Sequence, residues 1–286
     1  MGDVVTMDDL TNDEIISILD SAERLLPVAK GDCLLPVLEG KVLANMFFEN
    51  STRTRMSFET AMKRLGGSVL NFSSVGTSVA KGETLYDTMK MIEGYADVAA
   101  IRHPRQGAAQ YSADAVEIPI LNAGDGAGNH PTQTLLDLFT IRQAHGSLEG
   151  LNVVLVGDLR YGRTVHSLSH ALIRFGASLT LISPSTLKMP EEIVSDLRAH
   201  GAGINETDSL SDQIADADVI YMTRIQKERF PDEDEYAKVA GIYKLSVSDL
   251  AGAKEGMAVM HPLPRVDEID PSVDSTDHAR YFQQAF

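Results

Sequence analysis

Apolar residues along the chain follow two alternating rhythms. Ile15, Leu19 and Ala22 recur at helical spacing behind Thr11 and Glu14, which stand three apart as a capping box, so a first helix is predicted over about residues 11–24. A continuous apolar run at 42–48 follows, then a polar break. Phe58, Ala61, Met62 and Leu65 come next at i, i+3, i+4 and i+7, closed by Gly66 and Gly67. That is a buried strand, a loop and an amphipathic helix. Apolar runs at 69–72, 98–101 and 118–121 read as further strands, separated by helical segments such as 84–95. After a helix over 131–145 the series restarts with strand 153–156, a helix through Leu168 and Leu172 ending at Gly176, and strand 179–182. Helices near 190–200 and 210–215 and strands 219–222 and 258–260 complete it.

Strands alternating with helices require a parallel sheet covered on both faces. The restart near 147–150 divides the chain, so the predicted fold class is α/β: two doubly wound parallel-sheet domains, residues 1–146 and 147–286, joined by a helix, with the active site in the cleft between them. In open parallel sheets, ligands sit beyond the carboxyl ends of the strands, in the loops that lead into helices.

Composition narrows what those ligands are. The 286 residues carry 41 acidic and 25 basic side chains, a formal charge of −16. Nucleic acid and anionic membrane are therefore excluded as partners, since both need a basic footprint. The single cysteine, Cys33, forbids an intrachain disulfide or a multi-thiolate metal site and fits a reducing cytosol. No apolar stretch approaches the ~20 residues of a membrane span, and the expected location is cytoplasmic.

Against that acidic background, basic and hydroxyl residues gather in the strand-end loops. Ser51, Thr52, Arg53 and Thr54 stand between a strand and a helix N-terminus, where free N–H groups and the helix dipole favour an anion and the side chains add donors suited to phosphate. Lys81 lies in a small-residue loop, 77–84, that reads as a mobile carrier of charge. Arg102 follows a strand ending at Ile101. His130 and Gln133 flank Pro131 at a helix start after the strand ending at Leu121, and both can address a ligand. Arg163 sits in 157–164, which departs from the phosphate-binding pattern G-x-x-x-x-G-K-[ST] only in having Arg163 for Lys. Arg224 and Gln226 follow the strand ending at Met222. Pro262 and Leu263 lie in His261-Pro262-Leu263-Pro264-Arg265, a rigid turn with fixed carbonyl acceptors that allows a cis bond before Pro264. His166 and His170 stand four apart on a helix, but the sequence lacks the Glu of H-E-x-x-H and a third ligand. Taken together, the loops describe a positively focused crevice for small, multiply charged anions.

These motifs, in this order and over nearly the whole length, resemble the catalytic chain of the aspartate carbamoyltransferase family. Residues 47–59 (FFENSTRTRMSFE) are similar to its carbamoyl-phosphate signature. The segments 130–133 (HPTQ), 157–164, 224–229 (RIQKER) and 261–265 (HPLPR) are similar to its other signatures. Related ornithine enzymes carry His-Cys-Leu-Pro late in the chain, where this one has His261-Pro262-Leu263-Pro264. The resemblance implies an enzyme of pyrimidine biosynthesis that makes N-carbamoyl-L-aspartate and phosphate from carbamoyl phosphate and L-aspartate, with no cofactor and no metal. It implies that Ser51, Thr52, Arg53 and Thr54 bind the phosphate, and that Arg102 bridges to the carbamoyl oxygen, which His130 also touches. Gln133 and the carbonyls of Pro262 and Leu263 would hold the carbamoyl nitrogen, while Arg163, Arg224 and Gln226 would read the carboxylates of aspartate. Glu49 would act indirectly, pairing with Arg163 and Arg229 as the domains close. Ser78 and Lys81 would come from a neighbouring subunit of a homotrimer, and a separate regulatory chain is left open. The family continues into a final apolar helix where this sequence stops at Phe286, so exposed apolar surface or reduced activity is expected of this form. The rival readings are a nucleotide hydrolase built on 157–164, a non-catalytic relative, and carbamoyl transfer to ornithine.

Overall fold

The first four strands are β1 (Val42–Phe47), β2 (Ser68–Ser73), β3 (Val98–His103) and β4 (Ile120–Asp125). They pair in parallel in the order β2-β1-β3-β4. The computed structural model of the chain describes residues 2–73, 78–126, 128–225, 230 and 232–286, except the side chains of Ser73, Ser78, Glu233 and Glu235. Helices α1 (Asn12–Lys30), α2 (Thr52–Arg64), α3 (Leu85–Glu93) and α4 (Ala108–Ala115) accompany this sheet. With α5 (Pro131–His145) the chain passes from one compact unit, Met1–Leu135, to a second, Leu136–Phe286. The second unit has β5 (Asn152–Val156), β6 (Ser178–Ile182), β7 (Ile204–Thr207), β8 (Val219–Met222) and β9 (Ala258–Met260), parallel in the order β7-β6-β5-β8-β9. Its helices are α6 (Arg163–Ile173), α7 (Glu191–Ala199), α8 (Glu233–Ala237) and α9 (Tyr281–Ala285).

Both predicted sheets are therefore present and parallel. In the first unit the core is Ala44, Met46, Met89, Ala99, Ile101, Ala109 and Ile120. Alanines on the strands let helices approach closely, so this core depends on fit more than on bulk. The second unit packs Val154, Val156, Ile182, Ile220, Met222, Leu245, Val259 and Tyr281. Burying each such aliphatic side chain stabilises by about 1.5–3 kcal/mol. The N-terminal capping box is formed: Thr11 Oγ1 accepts from Glu14 N at 3.2 Å, and Glu14 accepts from Thr11 N at 2.8 Å.

Several elements differ from the periodicity. Helix α1 runs on to Lys30, because Pro27 lies in its last turn, buried Val28 anchors that turn, and Gly31, at φ 86°, caps it. The helix expected at 210–215 is a short 3-10 turn, Ser211–Gln213. Strand β4 lies later than the apolar run 118–121, since Val4 clamps it through Val4 N to Ile120 O and Asn122 N to Val4 O, each 2.9 Å. Strand β7 was missed because it is short and half exposed and lacks an apolar face.

Candidate active site

Each sheet has one place where neighbouring strands lead off in opposite directions, and it is there that open parallel sheets bind ligands. In the first unit it lies between β1 and β3, and in the second between β5 and β8. The loops that sequence reasoning singled out, after β1 and β3 and after β5 and β8, leave from these two places.

In the first unit, Ser51 is the N-cap of α2 but makes no side-chain cap bond, and the first turn of α2 has no acidic residue. Helices α1 and α7, by contrast, carry Asp13 with Glu14 and Glu191 with Glu192 there. An uncapped, acid-free helix N-terminus in a chain of such negative charge is fitted to an external anion. Buried Asn45 on β1 steadies that turn: its Nδ2 donates to Arg55 O at 3.0 Å and to Asn71 Oδ1 at 3.2 Å. Burial, and then the charge of Arg102, lower the Arg53 pKa, although the guanidinium stays protonated. Two like charges held within reach of each other are relieved by an anion between them. Arg102, 12% exposed, donates to Glu49 Oε1 at 2.9 Å and to Ala123 O at 3.2 Å, and its Nε is buried without a partner. Glu49, which the resemblance casts as a partner of Arg163, is here engaged by Arg102.

The loops after β3 and β4 are fastened together by Asp125, which accepts from Gly107 N and Asn129 N at 2.7 Å each and from Asn122 Nδ2 at 3.2 Å. At Gly126, φ 55°, a Cβ would meet Pro104 O at 2.8 Å, so only glycine lets the loops approach this closely. The clasp delivers His130 to the head of α5. The Nδ1 of His130 accepts from Gln133 N at 3.3 Å and lies 3.2 Å from Thr132 Oγ1. A ring nitrogen that accepts a backbone N–H carries no proton, so the proton resides on Nε2 and can be donated to a carbonyl oxygen. Lys81 is exposed at the end of a 3-10 turn, Ser78–Lys81, and no hydrogen bond or ion pair among the described residues joins it to the other candidates.

In the second unit, Gly157, φ 115°, passes so close to β8 that a Cβ would lie 2.3 Å from Thr223 O. Thr223 Oγ1 accepts from Asp158 N at 3.0 Å and donates to Val156 O at 2.9 Å, which ties the residue preceding half-buried Arg224 to the end of β5 and the loop after it. Arg163 opens α6, whose first turn is also free of acid. The nucleotide-loop reading of 157–164 fails on two counts. The N–H groups of Asp158, Leu159 and Tyr161 already serve Thr223 Oγ1, Leu187 O and Asp158 Oδ1, and buried Asp158 puts a carboxylate inside the loop. Gln226 and Arg229 lie outside the described residues. In the turn after β9, the Leu263–Pro264 bond is cis and Leu263 has φ 52°.

Sequence reasoning did not find Asn45, Asp125, Thr223 or Glu268. The one trace of Asn45, Asp125 and Thr223 is a polar residue inside or just beyond an apolar strand run, and Glu268 leaves none. Among the described residues no group of three or more His, Cys, Asp or Glu could hold a metal ion, and no helix is long and apolar enough to cross a membrane.

Two parallel α/β units, each with an anion-seeking loop cluster at its switch point, define a protein that handles two small anionic ligands. The family models agree. Residues 3–143 match the aspartate/ornithine carbamoyltransferase carbamoyl-P binding domain, and residues 149–286 match the Asp/Orn binding domain of the same family. The aspartate carbamoyltransferase catalytic subunit of Methanothrix thermoacetophila is 55% identical over 99% of this chain and 93% of its own, and that of Archaeoglobus fulgidus 54% identical over 100% and 95%. The crystal structure of Trypanosoma cruzi aspartate transcarbamoylase in complex with carbamoyl phosphate and aspartate superposes with TM-score 0.94 at 39% identity, covering 99% of this chain and 92% of that one. The chain belongs to the aspartate/ornithine carbamoyltransferase family.

Proposed function

We propose that this protein transfers the carbamoyl group of carbamoyl phosphate to the amino group of L-aspartate, giving N-carbamoyl-L-aspartate and phosphate for pyrimidine biosynthesis. The observation that carries the reading is the N-terminus of α2, free of acid and of a side-chain cap, with the Arg53 guanidinium beside it close enough to feel the charge of Arg102. Relatives named for this reaction at 54–55% identity, rather than for the ornithine reaction, support aspartate as the acceptor.

In this reading residues 1–146 hold carbamoyl phosphate and residues 147–286 hold aspartate. Ser51, Thr52, Arg53 and Thr54 take the phosphate at the head of α2. The amine lone pair attacks the carbonyl carbon, and charge builds on its oxygen. Thr54, Arg102 and the Nε2–H of His130 donate to that oxygen. Gln133 and the carbonyls of Pro262 and Leu263 accept from the carbamoyl NH₂. The bond from carbon to the bridging oxygen then breaks, phosphate leaves with the electron pair and takes the amine's proton, and Arg53 and Lys81 offset its charge. Arg163, Arg224 and Gln226 orient the aspartate carboxylates, so that positioning supplies much of the rate. Glu49 and Arg229 serve domain closure, Glu49 pairing with Arg163 and Arg229. Ser78 and Lys81 serve a neighbouring subunit of a homotrimer, a reading supported by the exposure of Lys81 at the end of its 3-10 turn.

The test is formation of carbamoyl aspartate by wild type and by Arg53→Ala, with L-ornithine offered in parallel. We expect product from aspartate alone and a loss of at least about 100-fold in the variant, the scale of one transition-state donor. Equal activity in both proteins refutes the site, and turnover of ornithine refutes the acceptor. Mixing inactive Arg53→Ala and Lys81→Ala subunits should restore part of the activity if sites are shared, and none if they are not.

A further inference from the structure

The turn after β9 is held from behind by a buried polar chain with no part in the mechanism above. We propose that Glu268 and Gln284 are positioning residues, acting through His261 to aim the carbonyls of Pro262 and Leu263; this rests on the carbamoyl-binding role given to those carbonyls. His261 is 1% exposed, and its Nδ1 accepts from Leu263 N at 2.8 Å. The ring proton is therefore on Nε2, which donates to Glu268 Oε1 at 2.6 Å. The other carboxylate oxygen of Glu268 accepts from Val266 N at 3.1 Å and Asp267 N at 3.0 Å. From the opposite side the Oε1 of buried Gln284 accepts from His261 N at 2.8 Å, while its Nε2 donates to Asp137 Oδ1 at 2.7 Å. Asp137 in turn accepts from Tyr221 OH at 2.8 Å.

Peptide geometry shows what this chain does for the site. The Leu263 N–H and the Pro262 carbonyl belong to one planar trans unit and point in opposite directions. An imidazole that takes the N–H turns the carbonyl away from itself, toward whatever ligand the turn faces. Leu263 then sits at φ 52°, a left-handed conformation that costs a residue with a Cβ about 1–2 kcal/mol and persists only where the surroundings impose it. Without an acceptor at Glu268 the ring is free to move its proton to Nδ1, where it opposes the Leu263 N–H and releases the carbonyl. This is the way an outer partner fixes the tautomer of a working histidine.

The experiment compares wild type with Glu268→Gln, whose amide cannot accept both from the ring and from the Val266 and Asp267 N–H groups. We expect kcat/KM for carbamoyl phosphate to fall about 10–100-fold, the scale of lost outer-partner support. Inorganic phosphate, used as a probe of the α2 terminus, should bind with unchanged Kd, a separation that general loosening of the fold would not produce. Glu268→Asp should recover part of the loss. Folded Glu268→Gln with wild-type kcat and KM overturns the proposal, whereas wild type that makes no carbamoyl aspartate overturns the reading beneath it. Should the variant not fold, nitrogen NMR of histidine-labelled wild type still decides: a neutral Nε2–H ring at His261 supports the proposal, and an Nδ1–H ring or an imidazolium overturns it.

Discussion

Gly157→Ala tests whether the switch point of the second unit depends on backbone contact. The new methyl would lie 2.3 Å from Thr223 O and 2.6 Å from Thr223 Oγ1, at a residue whose φ is 115°. The backbone conformation alone costs an L-residue about 1–2 kcal/mol. Displacing a packed strand end adds about 1–3 kcal/mol, for a sum of about 2–5 kcal/mol. At about 2–4 °C per kcal/mol for a protein of this class, the melting temperature should fall by roughly 4–20 °C. Gly176→Ala is the control, since its φ is 72° and nothing lies within 4 Å of the added carbon. It carries the conformational part only. The assay is calorimetric melting of both variants together with the KM for aspartate, which should rise in Gly157→Ala because displaced Thr223 carries Arg224 with it. Equal melting temperatures for the two variants, or an unmoved KM in the less stable one, would show that the close approach does not position the loop.

Tyr221→Phe removes one of the donors to buried Asp137, leaving the Gln284 amide, and should cost about 1–3 kcal/mol in urea unfolding; a change below about 0.5 kcal/mol would mean the remaining donors satisfy the carboxylate. The Tyr221 hydroxyl itself, raised well above its ordinary pKa by burial and then by the Asp137 charge, should show no ionisation in a spectrophotometric titration up to the pH of unfolding. Burial by itself would raise the Glu268 carboxyl, but hydrogen bonds from His261 and the backbone outweigh it and hold the pKa at about 2. The folded value lies below the unfolded one, so this group's contribution is complete above about pH 4.5 and is lost as pH falls toward 2. Wild type should lose more stability than Glu268→Gln between pH 5 and pH 3 in denaturant titrations, and parallel losses would show that the carboxylate is not held in this way.

The candidate site was legible in outline because the pattern that suggests it is local. Ser51 to Thr54 is a run of donors at a helix start, and an acid-free turn stands out in an acidic chain. Arg102 was legible because an arginine directly after an apolar run sits at a strand's end. The supports were not legible. Asn45 interrupts an apolar strand for the sake of the Arg55 carbonyl, and Asp125 reads as loop filler until Gly107 is known to lie beside it. Nor was the ion pair between Glu49 and Arg102 legible, since the two lie on different strand-end loops.

Spacing and residue type alone determined the alternating strands and helices, the division into two halves and the loops able to receive anions, since each of these depends on neighbours a few positions apart. Tertiary structure decided which strands stand side by side, and hence that the loops after β1 and β3, or after β5 and β8, share an edge. It also decided that His261, Glu268, Gln284 and Asp137 form one buried chain. These contacts join residues distant in sequence, and a polar side chain does not reveal its partner until packing has excluded water from both.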